Sequence, residues 1–286
     1  MIERLLSANG LHHHVITWGE PSDKPSVVMC HGFLDMGLGF FKLAPLLVAA
    51  GYHVVSFDFR GHGDTEWVGR GGYYHFADYV LDMHELVPQV VEGEFHLVGH
   101  SMGGTVATLY AGTHLERIRS LALLEGYGPP AEDPATANTR MQTWLTHMDE
   151  LRKGENRAVL ADLDAAIARL QRRNPTLEYE TLRFLAMHST EPHPRLNGLT
   201  WRFDPMHRTR SPMGFESARF MAFAARITRP TLVVQGELGL RTGDDEARIA
   251  GFAQASAQQI AGAGHMLHWT HAQETADALL GFWARG

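Results

Sequence analysis

Short, continuously apolar segments rich in β-branched residues alternate along the chain with longer segments whose apolar residues have a helical spacing. Strands that are buried on both faces of a parallel sheet have this uninterrupted apolar character. The repeated order of strand and helix therefore predicts an α/β fold with a parallel sheet and right-handed crossovers. The predicted strands are SVVMC (26–30), HVVSFD (53–58), FHLVGH (95–100), LALLEG (121–126) and TLVVQG (231–236), and the predicted helices are 40–51, 76–91, 102–118 and 273–285.

Between residues 127 and 225 this alternation stops. The segment has helical patterns over 155–173 and 177–189 but no pattern of a buried strand. The strand pattern returns only after it. We therefore predict a mostly helical cap at 127–225, inserted over one edge of an α/β core that is formed by residues 1–126 and 226–286.

The composition is that of a globular protein of 286 residues, of which 44% are hydrophobic and 20% are charged. The length suits one large α/β domain with an insertion better than two independent domains. A net charge of -7 without a strong basic run gives nucleic acid no general electrostatic reason to bind. The single cysteine, Cys30, excludes an intrachain disulfide and a thiolate metal cluster.

The chain has no apolar run of the roughly 18 residues that a membrane span needs. Residues 1–20 also lack the apolar run of a signal peptide. We therefore expect no membrane span and a soluble cytoplasmic protein. The expected partner is a small molecule, and assembly as a homodimer is compatible with the sequence.

The segment FHLVGHSMGG (95–104) joins a predicted buried strand directly to a predicted helix, with Ser101 at the junction. A nucleophilic serine at such a tight turn has strained backbone angles, and the residues two positions away on each side need to be very small. Gly99 and Gly103 satisfy this requirement. The turn would present the Ser101 hydroxyl at a helix N-terminus, where backbone N–H groups favour negative charge. We predict that Ser101 is a nucleophile and that His100, beside it, is a packing residue.

A second predicted feature is a pair of backbone N–H donors for an oxyanion. In a nucleophile elbow, one donor belongs to the residue after the nucleophile and the other to the loop after an earlier strand. Met102 follows the nucleophile, and the first predicted strand ends in His31-Gly32-Phe33. Because Gly32 lets the backbone come close, we predict that the N–H groups of Phe33 and Met102 form the oxyanion hole, while His31 braces the loop.

Four motifs occur in the order seen in α/β-hydrolases. They are HGFLD (31–35), DFRGHG (58–63), GHSMGG (99–104) and GAGH (262–265). The chain resembles this family over nearly its whole length outside the insertion, and HGFLDMGLGFFKLAPLL and LLEGYGPP more narrowly resemble its serine hydrolase-like, esterase-type branch. The resemblance implies a mostly parallel eight-stranded sheet flanked by helices, a helical cap inserted after strand 6, and a Ser-acid-His triad.

The general base in this family is a histidine on a loop after the last strand, and the resemblance therefore implies His265. His265 follows a strand-like segment and a Gly-Ala-Gly turn, and it precedes the last predicted helix. His268 and His271 are the nearby alternatives, but they lie closer to the helix start and lack the glycine turn. Three further histidines, His12 to His14, lie on a predicted N-terminal strand and are expected to be exposed to solvent.

Most members of the family carry the triad acid after the strand that corresponds to TLVVQG (231–236), in a pattern such as G-x-x-D. In this chain that position is Gly239. Some members place the acid at the end of the preceding strand, where this chain has Glu125 after a run of aliphatic residues. A carboxylate in that setting needs a partner, because its desolvation is costly. We predict Glu125 as the acid, with Glu237, Asp244 and Asp245 as the alternatives.

Together these residues predict a serine hydrolase that cleaves a carboxylic ester through an acyl-enzyme. His265 would remove the proton of Ser101 while Glu125 orients the imidazole, and no metal or organic cofactor is required. Aromatic residues and methionines in the insertion favour a small or medium apolar acyl group. Thioester, amide and carbon–carbon bond hydrolysis remain open, as does a non-catalytic ligand-binding role, because the usual acid position is glycine.

Overall fold

The computed structural model describes residues 1–154 and 158–285. Its strands are β1 (Ile2–Ala8), β2 (Leu11–Trp18), β3 (Ser26–Cys30), β4 (Val54–Phe57), β5 (Phe95–His100), β6 (Ile118–Leu124), β7 (Thr190–Pro192), β8 (Leu199–Trp201), β9 (Thr231–Gly236) and β10 (Ala255–Ile260). Its α-helices are α1 (Leu43–Ala49), α2 (Phe76–Val90), α3 (Met102–Ala111), α4 (Ala137–Arg152), α5 (Leu163–Arg173), α6 (Tyr179–Ser189), α7 (Ser217–Ala224), α8 (Asp245–Ala250), α9 (Leu267–Thr270) and α10 (Ala272–Trp283). None of these helices is long and apolar enough to cross a membrane.

Eight of these strands form one sheet in the order β1-β2-β4-β3-β5-β6-β9-β10, and β7 and β8 form a separate two-stranded sheet. From β4 to β10 the neighbouring strands of the large sheet are parallel, whereas β2 is antiparallel to both β1 and β4. The carboxyl ends of β3, β5, β6 and β9 therefore meet at one edge of the sheet. This mostly parallel eight-stranded sheet flanked by helices confirms the predicted fold class.

The strands are continuously apolar because both faces of the sheet are covered. Along β3, Val27 and Met29 pack into one buried apolar cluster, whereas Val28 and Cys30 pack into a second cluster on the opposite face. Helices α1 and α10 contribute to the first cluster, and α2 and α3 contribute to the second. The two layers of helices thus hold the sheet edge, and the loops that follow it, in place.

The predicted strands 26–30, 95–100 and 231–236 match β3, β5 and β9 residue for residue. The helix predicted over 102–118 is too long, since α3 ends at Ala111. A turn follows, in which the N–H groups of Thr113 and His114 donate to the carbonyl oxygen of Tyr110, and β6 begins at Ile118. The end of that predicted helix is therefore wrong, because the chain has to return to the sheet there.

Helices α4 to α7 and the β7–β8 hairpin lie between β6 and β9 in the chain. A mostly helical segment thus occurs where the insertion is predicted, and the exact domain boundaries stay a prediction. Helix α5 begins at Leu163, where the side chain of Asp162 accepts a hydrogen bond from the N–H of Ala165 at 2.9 Å. The helix predicted over 155–173 is therefore shorter than expected, and its residues 155–157 lie outside the described residues. The hairpin was not predicted, because strands of three residues are too short for a readable alternation.

The N-terminal strands differ from the prediction in one respect. His12 is exposed, but His13 and His14 are buried. Strand β2 lies inside the sheet, between β1 and β4, so side chains on both of its faces are covered. The predicted exposure is therefore wrong for His13 and His14.

Candidate active site

Ser101 lies at the sharp turn between β5 and α3. Its backbone angles are φ 51° and ψ -117°, a strained conformation for a residue with a side chain. The turn is held by hydrogen bonds from Ser101 N–H to the carbonyl oxygen of Leu124 (3.0 Å) and from Gly104 N–H to the carbonyl oxygen of Ser101 (3.0 Å). Glycine is needed at position 99, because a Cβ atom there would lie 2.5 Å from the carbonyl oxygen of Gly103. The strand, turn and helix have the geometry of a nucleophile elbow.

His265 lies on the loop between β10 and α9, with its imidazole between Ser101 and Glu125. Its Nε2 atom is 3.0 Å from Oγ of Ser101, and its Nδ1 atom is 3.2 Å from Oε2 of Glu125. Because a carboxylate only accepts hydrogen bonds, we assign the imidazole proton to Nδ1, and Nε2 then has a lone pair for the serine hydroxyl. The side chain of Glu125 is fully buried and that of His265 is 26% exposed. The structure thus brings the three predicted triad residues together.

Glu125 directly follows β6, and its carboxylate reaches across to the loop after β9. Its Oε1 atom accepts a hydrogen bond from the N–H of Gly236 (2.7 Å), and its Oε2 atom accepts one from the N–H of Leu240 (2.8 Å). Nη1 of Arg241 lies 3.5 Å from Oε1, and this guanidinium also donates to the carbonyl oxygens of Leu240 (2.8 Å) and Gly236 (2.7 Å). These donors compensate for the hydration that a buried carboxylate loses.

The three alternative acids have other surroundings. Glu237 is exposed, Asp244 pairs with Nε of Arg248 at 2.8 Å, and Asp245 accepts a hydrogen bond from the hydroxyl of Tyr127 at 2.5 Å. Within residues 1–154 and 158–285, none of the three carboxylates hydrogen-bonds to the imidazole that faces the nucleophile. Of the four candidate acids, Glu125 is the one whose carboxylate lies at hydrogen-bond distance from the imidazole of His265.

Gly239 stands at the position where the resemblance to α/β-hydrolases would usually place the acid. A Cβ atom at this position would overlap the carboxylate of Glu125. The side chain from β6 therefore fills the space that a side chain at position 239 would need. An acidic side chain at position 239 and the carboxylate of Glu125 would therefore occupy the same space.

The loop after β3 runs directly against the nucleophile elbow. A Cβ atom on Gly32 would lie 3.3 Å from Cβ of Ser101, so glycine permits this approach. In the part of the chain that the structure describes, the backbone N–H groups of Phe33 and Met102 have no hydrogen-bond acceptor. Two free donors, one on the loop after β3 and one at the first residue of α3, are the elements of an oxyanion hole. The predicted donors are therefore available, and their catalytic role stays a prediction.

Side chains on both sides brace the loop that carries Phe33. Nε2 of His31 accepts a hydrogen bond from the N–H of Phe59 at 2.9 Å, which agrees with the predicted bracing role. The ring of Phe33 is 50% exposed and makes an edge-on contact with His207, with 6.1 Å between the ring centroids. His207 belongs to the 3-10 turn Pro205–Arg208, between β8 and α7. The cap segment thus contacts the loop directly beside the nucleophile.

Among the described residues, the imidazoles of His100, His268 and His271 make no hydrogen bond to the hydroxyl of Ser101. Nε2 of His100 donates to the carbonyl oxygen of His265 at 2.9 Å, which ties the elbow to the loop of the base. Burial, reinforced by the nearby His268 and His265, lowers the pKa of His100 well below its usual value, and burial lowers the pKa of His268 to about 3. Both rings are therefore neutral at pH 7. Nδ1 of His271 lies 2.9 Å from the hydroxyl of Thr270.

Two residues of the site were missed in the sequence. Arg241 lies two residues after Gly239 and contacts Glu125. A cation so close to the usual acid position is the sequence signal that could have indicated this contact. His100 was predicted as a packing residue, whereas it also hydrogen-bonds to the backbone of His265. That bond joins residues far apart in the chain, and no local pattern indicates it.

Comparison with known proteins places this geometry in context. A family model described as alpha/beta hydrolase fold matches residues 25–272. The chain is 30% identical over 241 residues to a 3-hydroxybutyrate-oligomer hydrolase from Cupriavidus necator, a match that covers 81% of this chain and 78% of that protein. It is 35% identical over 120 residues to a serine hydrolase-like protein from Danio rerio, covering 40% of this chain but only 36% of that protein. A solved thioesterase domain from the curacin biosynthetic pathway has a TM-score of 0.85 at 29% identity, covering 98% of this chain and 99% of that domain.

Proposed function

The chain belongs to the α/β-hydrolase fold family, and on that premise we propose that it is a serine hydrolase that cleaves a carboxylic ester of a small or medium apolar acyl group. The observation that carries the proposal is the continuous hydrogen-bond path from Ser101 Oγ to His265 Nε2 (3.0 Å) and from His265 Nδ1 to Glu125 Oε2 (3.2 Å). Every atom on this path has the donor or acceptor character that acyl transfer needs.

In the first half of the reaction, Oγ of Ser101 attacks the carbonyl carbon of the substrate while Nε2 of His265 accepts the hydroxyl proton. The carboxylate of Glu125 orients the imidazole and stabilises the imidazolium. The free N–H groups of Phe33 and Met102 stabilise the tetrahedral oxyanion. When the intermediate collapses, the alcohol leaves with the proton from His265, and the acyl group stays on Ser101.

In the second half, a water molecule takes the place of the alcohol. Nε2 of His265 accepts a proton from this water as its oxygen attacks the acyl carbonyl. The second tetrahedral intermediate releases the carboxylic acid and returns the proton to Oγ of Ser101. The path uses protein groups alone, and the expectation that no metal or organic cofactor is needed stays a prediction.

Two similar proteins and one side chain favour particular substrates. The relative from Cupriavidus necator is named for the hydrolysis of a hydroxy-acid oligomer, which favours an ester. The structural neighbour is a thioesterase domain, and this makes a thioester the second candidate, because both reactions pass through the same acyl-enzyme. The half-exposed ring of Phe33 beside the nucleophile favours an apolar acyl group.

Labelling with a fluorophosphonate probe tests the nucleophile. We expect the native protein to be labelled covalently and Ser101→Ala to be unlabelled. The free Cys30 is buried and offers no competing site. An unlabelled native protein would favour the non-catalytic ligand-binding alternative, and undiminished labelling of Ser101→Ala would assign the nucleophile elsewhere.

A substrate panel tests the bond that is cleaved. It consists of p-nitrophenyl esters of graded acyl length and thioesters with the same acyl groups. We expect kcat/KM to be highest for an ester of small or medium chain length. A consistently higher kcat/KM for the thioesters would identify a thioesterase. Labelling without hydrolysis of either series would point to an amide or a carbon–carbon bond.

A further inference from the structure

Asp35, His100 and His268 form a buried cluster beside the nucleophile elbow. They come from three elements: the loop after β3, the end of β5 and helix α9. The side chain of Asp35 is 6% exposed, His100 is 1% exposed and His268 is fully buried. One carboxylate oxygen and one nitrogen from each imidazole lie within 4.8 Å of one another. None of the three residues belongs to the proposed triad or to the oxyanion hole.

The polar atoms of this cluster are unusual because they lack partners. Oδ2 of Asp35, Nδ1 of His100 and both ring nitrogens of His268 are buried and have no hydrogen bond to any described residue. Buried polar atoms without partners are rare in folded proteins, because their desolvation is not compensated. Each of the three adjacent side chains has at least one such atom, and this favours a bound ligand over their mutual contacts.

The protonation of His100 makes it a suitable ligand. Its Nε2 atom faces the carbonyl oxygen of His265 at 2.9 Å, and because a carbonyl only accepts, Nε2 carries the proton. The lone pair is therefore on Nδ1, the atom that faces the cluster. A histidine that donates one N–H to a backbone carbonyl and offers its other nitrogen is the usual form of a metal ligand. A side chain at position 32 would crowd this atom, because a Cβ atom there would lie 2.7 Å from Nδ1, and residue 32 is glycine.

We propose that Asp35, His100 and His268 form a binding site for a divalent transition-metal ion of the zinc class. Nε2 of His268 and Oδ2 of Asp35 are 3.5 Å apart, which is too long for a good hydrogen bond but close to the separation of two ligands at about 2.0–2.2 Å from a tetrahedral ion. Two imidazoles and one carboxylate favour zinc or cobalt over magnesium or calcium, which prefer oxygen ligands. A water molecule supplies the fourth ligand.

The position of the site defines the effect of the ion. The three ligands belong to the loop that carries Phe33, to the strand that directly precedes Ser101 and to the helix that follows His265. A bound ion joins these elements without contacting a triad atom. It therefore stabilises the folded protein and restrains the loops that carry the proposed oxyanion donor and base, and it is not a reactant.

A second cluster of histidine and aspartate side chains shows that residue types alone do not define a metal site. His14, Asp58 and Asp64 also place three donor atoms within 4.8 Å. However, Nδ1 of His14 faces Asp58 at 2.9 Å and Nε2 faces Glu3 at 3.0 Å. Burial acts to lower the pKa of His14, but the hydrogen bonds to both carboxylates outweigh it and raise the pKa to about 9. Both nitrogens then carry protons, so this imidazole has no lone pair for a metal ion and provides a matched control.

Cobalt binding to the full chain tests the proposal. The protein is first treated with a chelator, then incubated with Co²⁺, and in parallel refolded from denaturant with Co²⁺ so that burial cannot prevent loading. We expect about one cobalt ion per chain by mass spectrometry of the metal, the intense visible absorption of tetrahedral Co²⁺, and a Tm raised by several degrees. The same result in Ser101→Ala would separate this site from the proposed catalytic function.

Variants locate the ion. Asp35→Asn keeps the shape of the side chain but removes the charge, and His268→Leu removes both nitrogens. We expect each to weaken cobalt binding by about a hundredfold or more, whereas His14→Gln binds as the native protein does. Circular dichroism checks that each variant is folded. Absence of cobalt bands in both the incubated and the refolded native protein, or undiminished binding in folded Asp35→Asn, would overturn the proposal.

Discussion

The ends of β6 and β9 are neighbours in the sheet, yet they contribute to the candidate site in opposite ways. The strand β6 is followed by Glu125, whose carboxylate lies 3.2 Å from His265, and β9 is followed by a loop without a side chain at the usual acid position. The loop after β9 still holds the acid, because the N–H groups of Gly236 and Leu240 donate to the carboxylate of Glu125. The carboxylate thus follows β6, and the end of β9 and the loop after it provide the N–H groups that hydrogen-bond to it.

The space between the ends of the two strands holds only one acidic side chain. A Cβ atom on Gly239 would overlap the carboxylate of Glu125, so the two positions cannot both carry side chains in this conformation. Glu125 itself has a positive φ of 54°, which is rare for a residue with a side chain and directs it toward β9. An acid can approach the same imidazole from either strand, provided that the other strand leaves room.

The largest effect on activity is expected for Glu125→Gln. The amide keeps the size of the side chain but removes the charge that orients and stabilises the imidazolium. We expect kcat/KM for p-nitrophenyl esters to fall about a thousandfold to ten-thousandfold, with the fold retained. Glu237→Gln is the matched control, because Glu237 is exposed and contacts the N–H of Gly262 rather than the imidazole. Near-native turnover in Glu125→Gln, with loss of activity in the control, would reverse the acid assignment.

Moving the acid to the other strand is the next test. Glu125→Gly removes the acid from β6, and Gly239→Asp places one after β9, in the space that has been vacated. We expect the double variant to have a kcat/KM about a hundredfold above that of Glu125→Gly alone, because the two positions are strongly coupled. Gly239→Asp alone should be less active than the native protein, since two carboxylates then compete for one space. A double variant that is folded but no better than Glu125→Gly would show that the space is not shared.

The sequence predicts the triad residues themselves better than the groups that surround the acid. The elbow could be predicted because strand, turn and helix are contiguous, and the glycines beside Ser101 are a local requirement. The apolar run before Glu125 likewise indicates a buried carboxylate in need of a partner. The structure brings Ser101, His265 and Glu125 together, and their catalytic roles stay predictions.

The partners of Glu125 could not be predicted, because they depend on the pairing of β6 with β9, more than 100 residues apart in the chain. The same holds for the hydrogen bond between His100 and His265 and for the burial of His13 and His14, which follows from the place of β2 inside the sheet. The β7–β8 hairpin was missed for a different reason, since three-residue strands have too few positions to show a period. Features formed by contiguous residues, such as the elbow around Ser101, could thus be predicted, whereas contacts between strands far apart in the chain could not.

A smaller change at the same place, Gly239→Ala, tests whether an uncharged side chain at position 239 displaces the carboxylate of Glu125. The added methyl group introduces no charge but forces the carboxylate of Glu125 to move away from the imidazole. We expect kcat/KM to fall about tenfold with little change in KM, because orientation of the base is lost rather than substrate binding. Gly69→Ala is the control, since a Cβ atom there would meet no atom within 4 Å. Equal activity of the two variants would mean that the loop after β9 moves aside at no cost.

The mildest test concerns Arg241, the cation that the loop after β9 places beside the acid. Its side chain is 36% exposed, so the ion pair with Glu125 at 3.5 Å is partly screened by water. We expect Arg241→Gln to lower kcat/KM about two- to fivefold, with the difference from the native protein shrinking as salt concentration rises. Arg241→Lys separates charge from geometry. If Lys restores native activity, the charge matters, and if Lys and Gln are equally impaired, the two hydrogen bonds to the carbonyl oxygens of Gly236 and Leu240 matter instead. If neither variant changes kcat/KM, the loop after β9 supports Glu125 through its backbone N–H donors alone.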